Sequence, residues 1–510
     1  MIILVLFNLI LSQGIDINQD IYDKHLAEFN IIEQKSINES LYLFPLTNYK
    51  INKSYNFFDN IDNIDLFPVM GFRYSSNGFE INQQTPSSVV WFTPGAEFTF
   101  NKIILNSISN PIWFNGLFSF YKHSAYGLDN DLRAESSLDF NNLGNLPIFL
   151  YNPNYQYAYF RNVKNNNNGI DFDETTGYIS VLSKNADLII GKFRSSLGPS
   201  SFSNLSISNS TPAFNQIRFR YNHKNKVHFT FLIGDLYSNL IDTNFVYQYE
   251  ELNDKYAVIP KKIFNHRIDF TINENFRLGF YEQIIGKAKN SILYYNPFSF
   301  YWSDQHQNGD LDNLQIGFDF DYVFSQFRFY GGLLIDEWAF YDTFNEQSKN
   351  WFARQIGFSK IFNSKIINSN IKGIVKFEYS DAEPQVYSHK FPINTAYHHN
   401  YPIGLWSGGD SIDNRLSLVL FVINNISKLN FIIDFSLHAT KFGQANYNSN
   451  ASLLSNGINK SRNIYSINFK KTLYNGLDYH LKVGYYVTEN LYSEDNFLEF
   501  STSLLYNIQR

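Results

Sequence analysis

The chain has no cysteine among its 510 residues. Disulfides, thiolate catalysis and cysteine-based zinc sites are therefore excluded. No stretch of 18 uninterrupted apolar residues occurs, so no membrane-spanning helix is expected. Long basic runs are also missing, and the formal net charge is −6. Nucleic-acid binding thus has no electrostatic support. The chain carries no Walker-type phosphate loop, no Gly-x-Ser-x-Gly elbow and no His-Glu-x-x-His helix. Catalysis is not expected, and nothing calls for a cofactor or a metal. No repeat of fixed period appears, which argues against a propeller or solenoid.

What the chain has in surplus is aromatic residues. There are 36 Tyr, 50 Phe and 6 Trp, or 18% of the sequence. Membrane β-barrels place aromatics in girdles at both interfaces, whereas soluble β-proteins use them in strands generally. The stretch NLQIGFDFDY decides how to read them. Leu314, Ile316, Phe318, Phe320 and Tyr322 alternate with Asn313, Gln315, Gly317, Asp319 and Asp321. This is a strand with one apolar and one polar face. The same texture recurs at Phe114–Tyr121, at Ile217–Asn222, at Arg267–Ile272, at Ile371–Ser380 and from Leu498 to Ile508. Short turn signals such as Lys184-Asn185-Ala186 and Asn475-Gly476 separate some strands. Long polar segments, such as Asp381 to Ile412, separate others. Short turns on one side and long loops on the other mark a membrane barrel. At roughly 20–25 residues per strand with its connection, the texture accommodates about 16–20 strands.

The apolar Met1–Leu11 run, broken only by Asn8 and followed by Ser12-Gln13, has the length of a secretory h-region. Residues 1–13 are read as a signal peptide and 14–84 as a small, partly helical periplasmic region. Asp20 is placed near the start of its helix, and Pro45 and Pro68 are read as breaks. Residues 85–510 are read as the barrel. The fold class expected is therefore all-β: a transmembrane antiparallel barrel of about 18 strands with a small N-terminal helical element.

Several stretches resemble the capsule assembly Wzi family of outer-membrane proteins. NHRIDFTINENFRLGFYEQIIG presents His266 and Arg267, then Gly279 and Glu282. YYNPFSFYW carries Asn296-Pro297-Phe298, and YGGLLIDEW closes on Asp336-Glu337. EPQVYSH and YHHNYPIGLWSGGD supply Tyr387, His389, His399, Gly404 and Gly408. IIGKFRSSLGPSSFSNLSIS supplies Gly191, Arg194, Gly198, Asn204, Leu205 and Ser208. The resemblance implies a barrel of about 18 strands, closed to free diffusion by its N-terminal segment and loops. It also implies a monomer in outer-membrane lipid that binds or organises capsular or other surface polysaccharide. A diffusion porin or substrate-specific channel is the alternative.

The candidate contact residues each have a structural reading beside the functional one. Arg267 and Asp269 share the polar parity of one strand, as an ion pair or a sugar contact. Arg218 and Arg220 form a positive ladder. It either pairs with Asp319, Asp321 or Glu378 across the lumen or grips acidic sugars bidentately. Glu282 falls on the apolar parity of Leu278 and Phe280. Either a bulge intervenes, or the strand has left the lipid there, or the carboxylate is catalytic. His389, His398, His399 and Trp406 lie in a long loop that either simply folds or meets carbohydrate. Adjacent histidines point apart on a strand and make a poor metal site.

Overall fold

In the computed structural model, the structure describes residues 19–35, 37, 43–44, 63–75, 89–105, 112–126, 164–166, 169–247, 255–287, 292–307, 309, 311–339, 350–366, 369–399, 401–424, 430–443, 460–472, 477–490 and 493–506. Helix α1 spans Gln19–Gln34. The wall strands follow as β1 (Asn63–Ser75), β2 (Val89–Leu105), β3 (Ile112–Tyr126), β4 (Gly169–Leu182), β5 (Ala186–Phe193) and β6 (Phe214–His223). Next come β7 (Val227–Tyr247), β8 (Lys255–Asn273), β9 (Phe276–Lys287), β10 (Asn313–Phe324), β11 (Phe327–Asp336) and β12 (Trp351–Ile366). The wall ends with β13 (Ser369–Ala382), β14 (Ser411–Asn424), β15 (Asn430–Phe442), β16 (Lys460–Thr472), β17 (Leu477–Asn490) and β18 (Ser493–Tyr506).

Each strand pairs antiparallel with the next, and the sheet closes on itself. Among the described residues these 18 strands make the ring, and a further short strand, Lys164–Asn166, pairs onto the start of β4. The seam joins β1 to β18, from Val69 opposite Leu505 to Ser75 opposite Glu499. A closed ring leaves no raw sheet edge, which a lipid environment requires. Connections alternate in length. At one end they are short, as at 183–185, 224–226, 274–275 and 325–326. At the other end they include 127–168, 194–213, 288–312, 337–350 and 383–410, with 491–492 a short exception. In barrels of this kind the short turns face the periplasm and the long loops the exterior.

Alternation along β10 orients the wall. Phe318 is 44% exposed on the outside, while its neighbour Asp319 is 5% exposed. Asp321 and Val323 continue the buried parity, and Tyr322 and Phe324 the exposed one. Ile217 and Phe219 likewise face out beside buried Arg218 and Arg220. The apolar parity is therefore the lipid face.

Two expectations are corrected. The barrel begins at Asn63, not near residue 85, because Pro68 lies within β1 instead of ending a segment. β1 meets β2 along its whole length, whereas its pairing with β18 starts only at Val69. Pro68 thus sits where one side of the strand is unpaired, the position a missing N–H tolerates. Helix α1, read from sequence as part of a periplasmic region, lies instead in the lumen, in line with the barrel-closing N-terminal segment that the resemblance implies. Phe29 and Ile32 pack on inward-facing Ile361, Ile374, Val419 and Phe421. Ala27 and Ile31 join a core built with Leu205, Tyr387, Ile403 and Leu405 from two inward-folded loops. Those loops, 194–213 and 383–410, are tied together by Ser208 N donating to Ile403 O at 2.8 Å. Tyr387 Oη also donates to Leu205 O at 2.7 Å.

This orientation predicts an asymmetric response to charge. Phe318→Arg, on the lipid face, costs roughly 2–4 kcal/mol if it lies near the bilayer midplane. Equilibrium refolding into lipid vesicles measures this. A neutral result would mean that the apolar face does not meet hydrocarbon.

Candidate functional site

The lumen wall is built of paired charge. Arg267 on β8 grips Asp319 on β10 with two bonds, Nη1 to Oδ2 and Nη2 to Oδ1, each at 2.6 Å. Its Nε donates to Asp269 at 2.9 Å, and Arg277 approaches Asp269 at 3.1 Å. Gly279 lies directly in front of this cluster. A Cβ there would collide with the Arg267 guanidinium and both carboxylates. Arg267, Asp269 and Asp319 are thus brought together as a structural network, as the ion-pair reading expected. The ladder of Arg218 and Arg220 finds a different partner from those expected. Arg220 pairs with Asp187 on the adjacent β5 at 2.5 Å, and Arg218 lies over the Phe193 ring at 5.8 Å. Asp319 and Asp321 are already engaged by Arg267 and Arg328, and Glu378 accepts from Tyr330 Oη at 2.7 Å. Register places Asp187 directly opposite Arg220, so the nearer carboxylate wins.

The centre of the lumen belongs to Glu28 of α1, which is 0% exposed. It meets Arg328 at 2.8 Å and Lys376 at 2.6 Å, and accepts from Ser359 Oγ at 2.6 Å and Ser201 Oγ at 2.8 Å. Arg328 also holds Asp321 at 2.7 Å. Lys376 reaches His25 Nδ1 at 2.6 Å. Burial alone would raise the Glu28 carboxyl, but Lys376 and Arg328 overcome it and hold it well below the usual range. Burial and Lys376 push His25 below its ordinary value. Sequence reading missed this latch. Glu28 sits among buried Ala27, Phe29, Ile31 and Ile32, and nothing local separates it from the other charged residues of the helix.

The residues of the recurring motifs hold loops in place. Asp336 Oδ2 accepts from Gln315 Nε2 at 2.7 Å and from Tyr387 N at 2.6 Å. Glu337 pairs with buried His389 at 3.0 Å, so His389 anchors the 383–410 loop. His266 Nε2 lies 2.9 Å from Glu282 Oε2. Glu282 also accepts from the backbone N–H groups of Tyr301 and Trp302 at 2.9 and 2.6 Å. No register shift occurs around Glu282, so the strand has no bulge there. Asn296 Oδ1 accepts from Phe298 N at 3.1 Å, with Pro297 between them.

The 383–410 loop carries two aromatic clusters to the long-loop end of the barrel. In one, the Trp406 indole donates from Nε1 to Asp413 Oδ2 at 2.9 Å and stands 4.7 Å from the His438 ring. The Arg415 guanidinium lies 5.4 Å from the rings of both Trp406 and Phe202. In the other, Tyr237 stacks on His399 at 4.3 Å, and His398 Nδ1 accepts from Tyr237 N at 2.8 Å. Beyond Asp235, β7 has no pairing with β6, so its backbone is open to this hairpin. Lys261 Nζ donates to Thr395 O at 2.9 Å. Burial, then His399, Lys261 and Lys192, push His398 far below its usual value. Flat rings, fixed cations and carboxylate acceptors side by side suit a ligand with apolar faces and polar edges. The described residues contain no group of three or more His, Asp or Glu placed to hold a metal.

The fold is that of outer-membrane β-barrels. It matches Wzi of Escherichia coli, described as an outer membrane protein involved in group 1 capsule assembly and a carbohydrate-binding β-barrel. The TM-score is 0.53 at 12% identity, over 98% of this chain and 99% of that one. OccAB4 of Acinetobacter baumannii follows at a TM-score of 0.43 and 10% identity, over 88% and 99%. OprD of Pseudomonas aeruginosa gives 0.41 and 9%, over 88% and 95%. No family model and no curated protein sequence matches the chain.

Two outcomes follow from the latch. Glu28→Ala leaves Lys376 without its buried counter-charge and Arg328 with Asp321 alone, and weakens helix docking by about 3–5 kcal/mol. Lys372→Ala, which removes the half-exposed partner of Glu33, changes it by less than about 1 kcal/mol. Protease sensitivity of α1 ranks the two, and equal sensitivity would contradict the latch. Acid acts in one direction. A depressed carboxyl stabilises fully above the unfolded value of about 4.3 and loses that contribution as pH falls below it. His25, kept neutral by burial, starts the loss earlier, below about 6.5. The protection factors of the α1 amides, which remove the intrinsic pH dependence of exchange, therefore fall on acidification and stay level between pH 7 and 8.

Proposed function

We propose that the chain is a Wzi-type outer-membrane protein of a Gram-negative-type envelope. It binds surface polysaccharide at the extracellular mouth of a plugged barrel and helps to retain it on the cell. The observation that carries this reading is the occupied lumen. Helix α1 and two loops fill the described interior with an apolar core and a paired-charge latch, which suits a binding platform better than a diffusion path. The two aromatic clusters on the 383–410 loop are the assigned contact surface, with Trp406 and Arg415 in one and Tyr237 and His399 in the other. Arg218, Arg220, Arg267, Asp269, Asp319 and Asp321 are assigned to support of the wall. His389 is assigned to loop anchoring. Catalysis forms no part of the proposal.

The test has two arms. Loss of the gene leaves polysaccharide synthesis intact and releases the polymer into the medium, whereas unchanged retention would overturn the reading. In the purified protein, Trp406→Ala and His399→Ala each weaken binding to the extracted polymer about tenfold, equivalent to about 1.4 kcal/mol. Heat-dependent migration in SDS confirms that each variant still folds. Large steady currents in planar bilayers would instead identify a channel.

A further inference from the structure

The segment after β9 takes an unexpected path. Phe264 on β8, Ile284 on β9 and Leu314 on β10 share the outward parity with Ile268, Phe280 and Phe318. Yet all three are buried, together with Tyr294 and Tyr301 of the β9–β10 connection. The connection therefore folds down against the outside of the barrel. Phe298 reaches Phe229 on β7 and stacks on it at 5.5 Å. Phe229 lies in the same cross-strand row as Ile268 and Phe280, both exposed on the lipid face.

Between Ile292 and Trp302 the outer surface of this connection is mostly apolar. Phe298 is 84% and Ile292 83% exposed, and Phe300 and Tyr295 are exposed beside them. From Ile292 to Ser303 the sequence has no Asp, Glu, Lys or Arg. Much of its backbone finds partners within the protein, as hydrocarbon demands. Asn296 N donates to Leu293 O, Ser299 N to Asn296 O and Ser303 N to Phe300 O, all within 3.2 Å. Phe298 N is taken by Asn296 Oδ1, and Pro297 has no N–H to satisfy. The first turn of the short helix α2 (Tyr301–Gln307) donates to Glu282. Trp302 and Trp338 stand together at 6.1 Å, as aromatics do at a membrane interface.

We propose that residues Ile292 to Trp302 form a membrane-embedded element that lies among the acyl chains against the outside of the barrel, with Glu282 as its latch. The partner is lipid because the exposed rings of Ile292 to Trp302 continue the lipid-facing rows of β7–β10, with only Asn296 exposed as a polar amide among them. Glu282 and His266 stand on that face and are covered only because this segment lies over them. The element widens the barrel's lipid contact on one side.

The natural absence of cysteine makes the test direct. Single cysteines at Phe298, at lipid-facing Phe318 and at the exposed turn residue Asn225 each carry a bimane probe, in phosphatidylcholine vesicles. Doxyl-labelled acyl chains should quench the probes at 298 and 318 alike, with iodide ineffective at both and effective at 225. Quenching at 298 by iodide, alone or together with doxyl lipid, would overturn the proposal. Adding Glu282→Ala to Phe298→Cys should move the probe from doxyl to iodide quenching while heat-dependent migration in SDS persists. An unmoved probe in that folded variant would remove Glu282 from the assigned role.

Discussion

A charge can neither face hydrocarbon nor remain alone in a filled lumen, and this constraint orders the whole molecule. Several inward carboxylate and guanidinium groups of the described strands find a counter-charge nearby. Arg267 is shared by Asp269 and Asp319, and Arg220 takes Asp187. Glu282 and His266 break the parity rule on the outside. There the chain answers by laying a loop over them, with two backbone donors on the carboxylate.

The same constraint explains how a single helix is held in a barrel. An apolar face made of Phe29 and Ile32 gives α1 a place to lie but does not choose one sliding position over its neighbours. Glu28 does. Between Arg328 and Lys376 it has two cations and two hydroxyl donors at once, and a shift of one residue would forfeit all of them. A buried ion cluster of this kind contributes little net stability compared with an apolar substitute, and its value lies in fixing position. The lumen thus behaves as the interior of a globular domain wrapped in a sheet.

Much of the wall was legible from alternation alone. Period-two patterning in stretches such as Asn313–Tyr322 identifies lipid and lumen faces because hydrocarbon imposes it residue by residue. Unequal connections likewise separate the two ends. The interior was less legible, because nothing periodic governs it. Ser200, Ser201, Ser203, Ser206 and Ser208 are polar in a long connection, and nothing in their pattern shows that they are buried in the plug. Glu28 carries no local signature, since its partners come from strands some three hundred residues away. Pro68 misled because proline is tolerated only where a strand loses one neighbour, and a sequence does not reveal where that happens. Glu282 was the informative case. Its conflict with strict alternation pointed to a place where the outer wall is not bare.

The seam of β1 against β18 has a kinetic consequence. Its two strands come from opposite ends of the wall, so pairing Val69 with Leu505 must close a loop that includes nearly the whole ring. Loop closure grows slowly costlier with length, and contacts between residues so distant in sequence form late. Until the seam zips, the first and last strands each expose a row of unsatisfied amides, able to pair with any other strand nearby. The vulnerable interval in this protein's life is therefore the one just before the circle is completed, when it most needs shelter from its own copies.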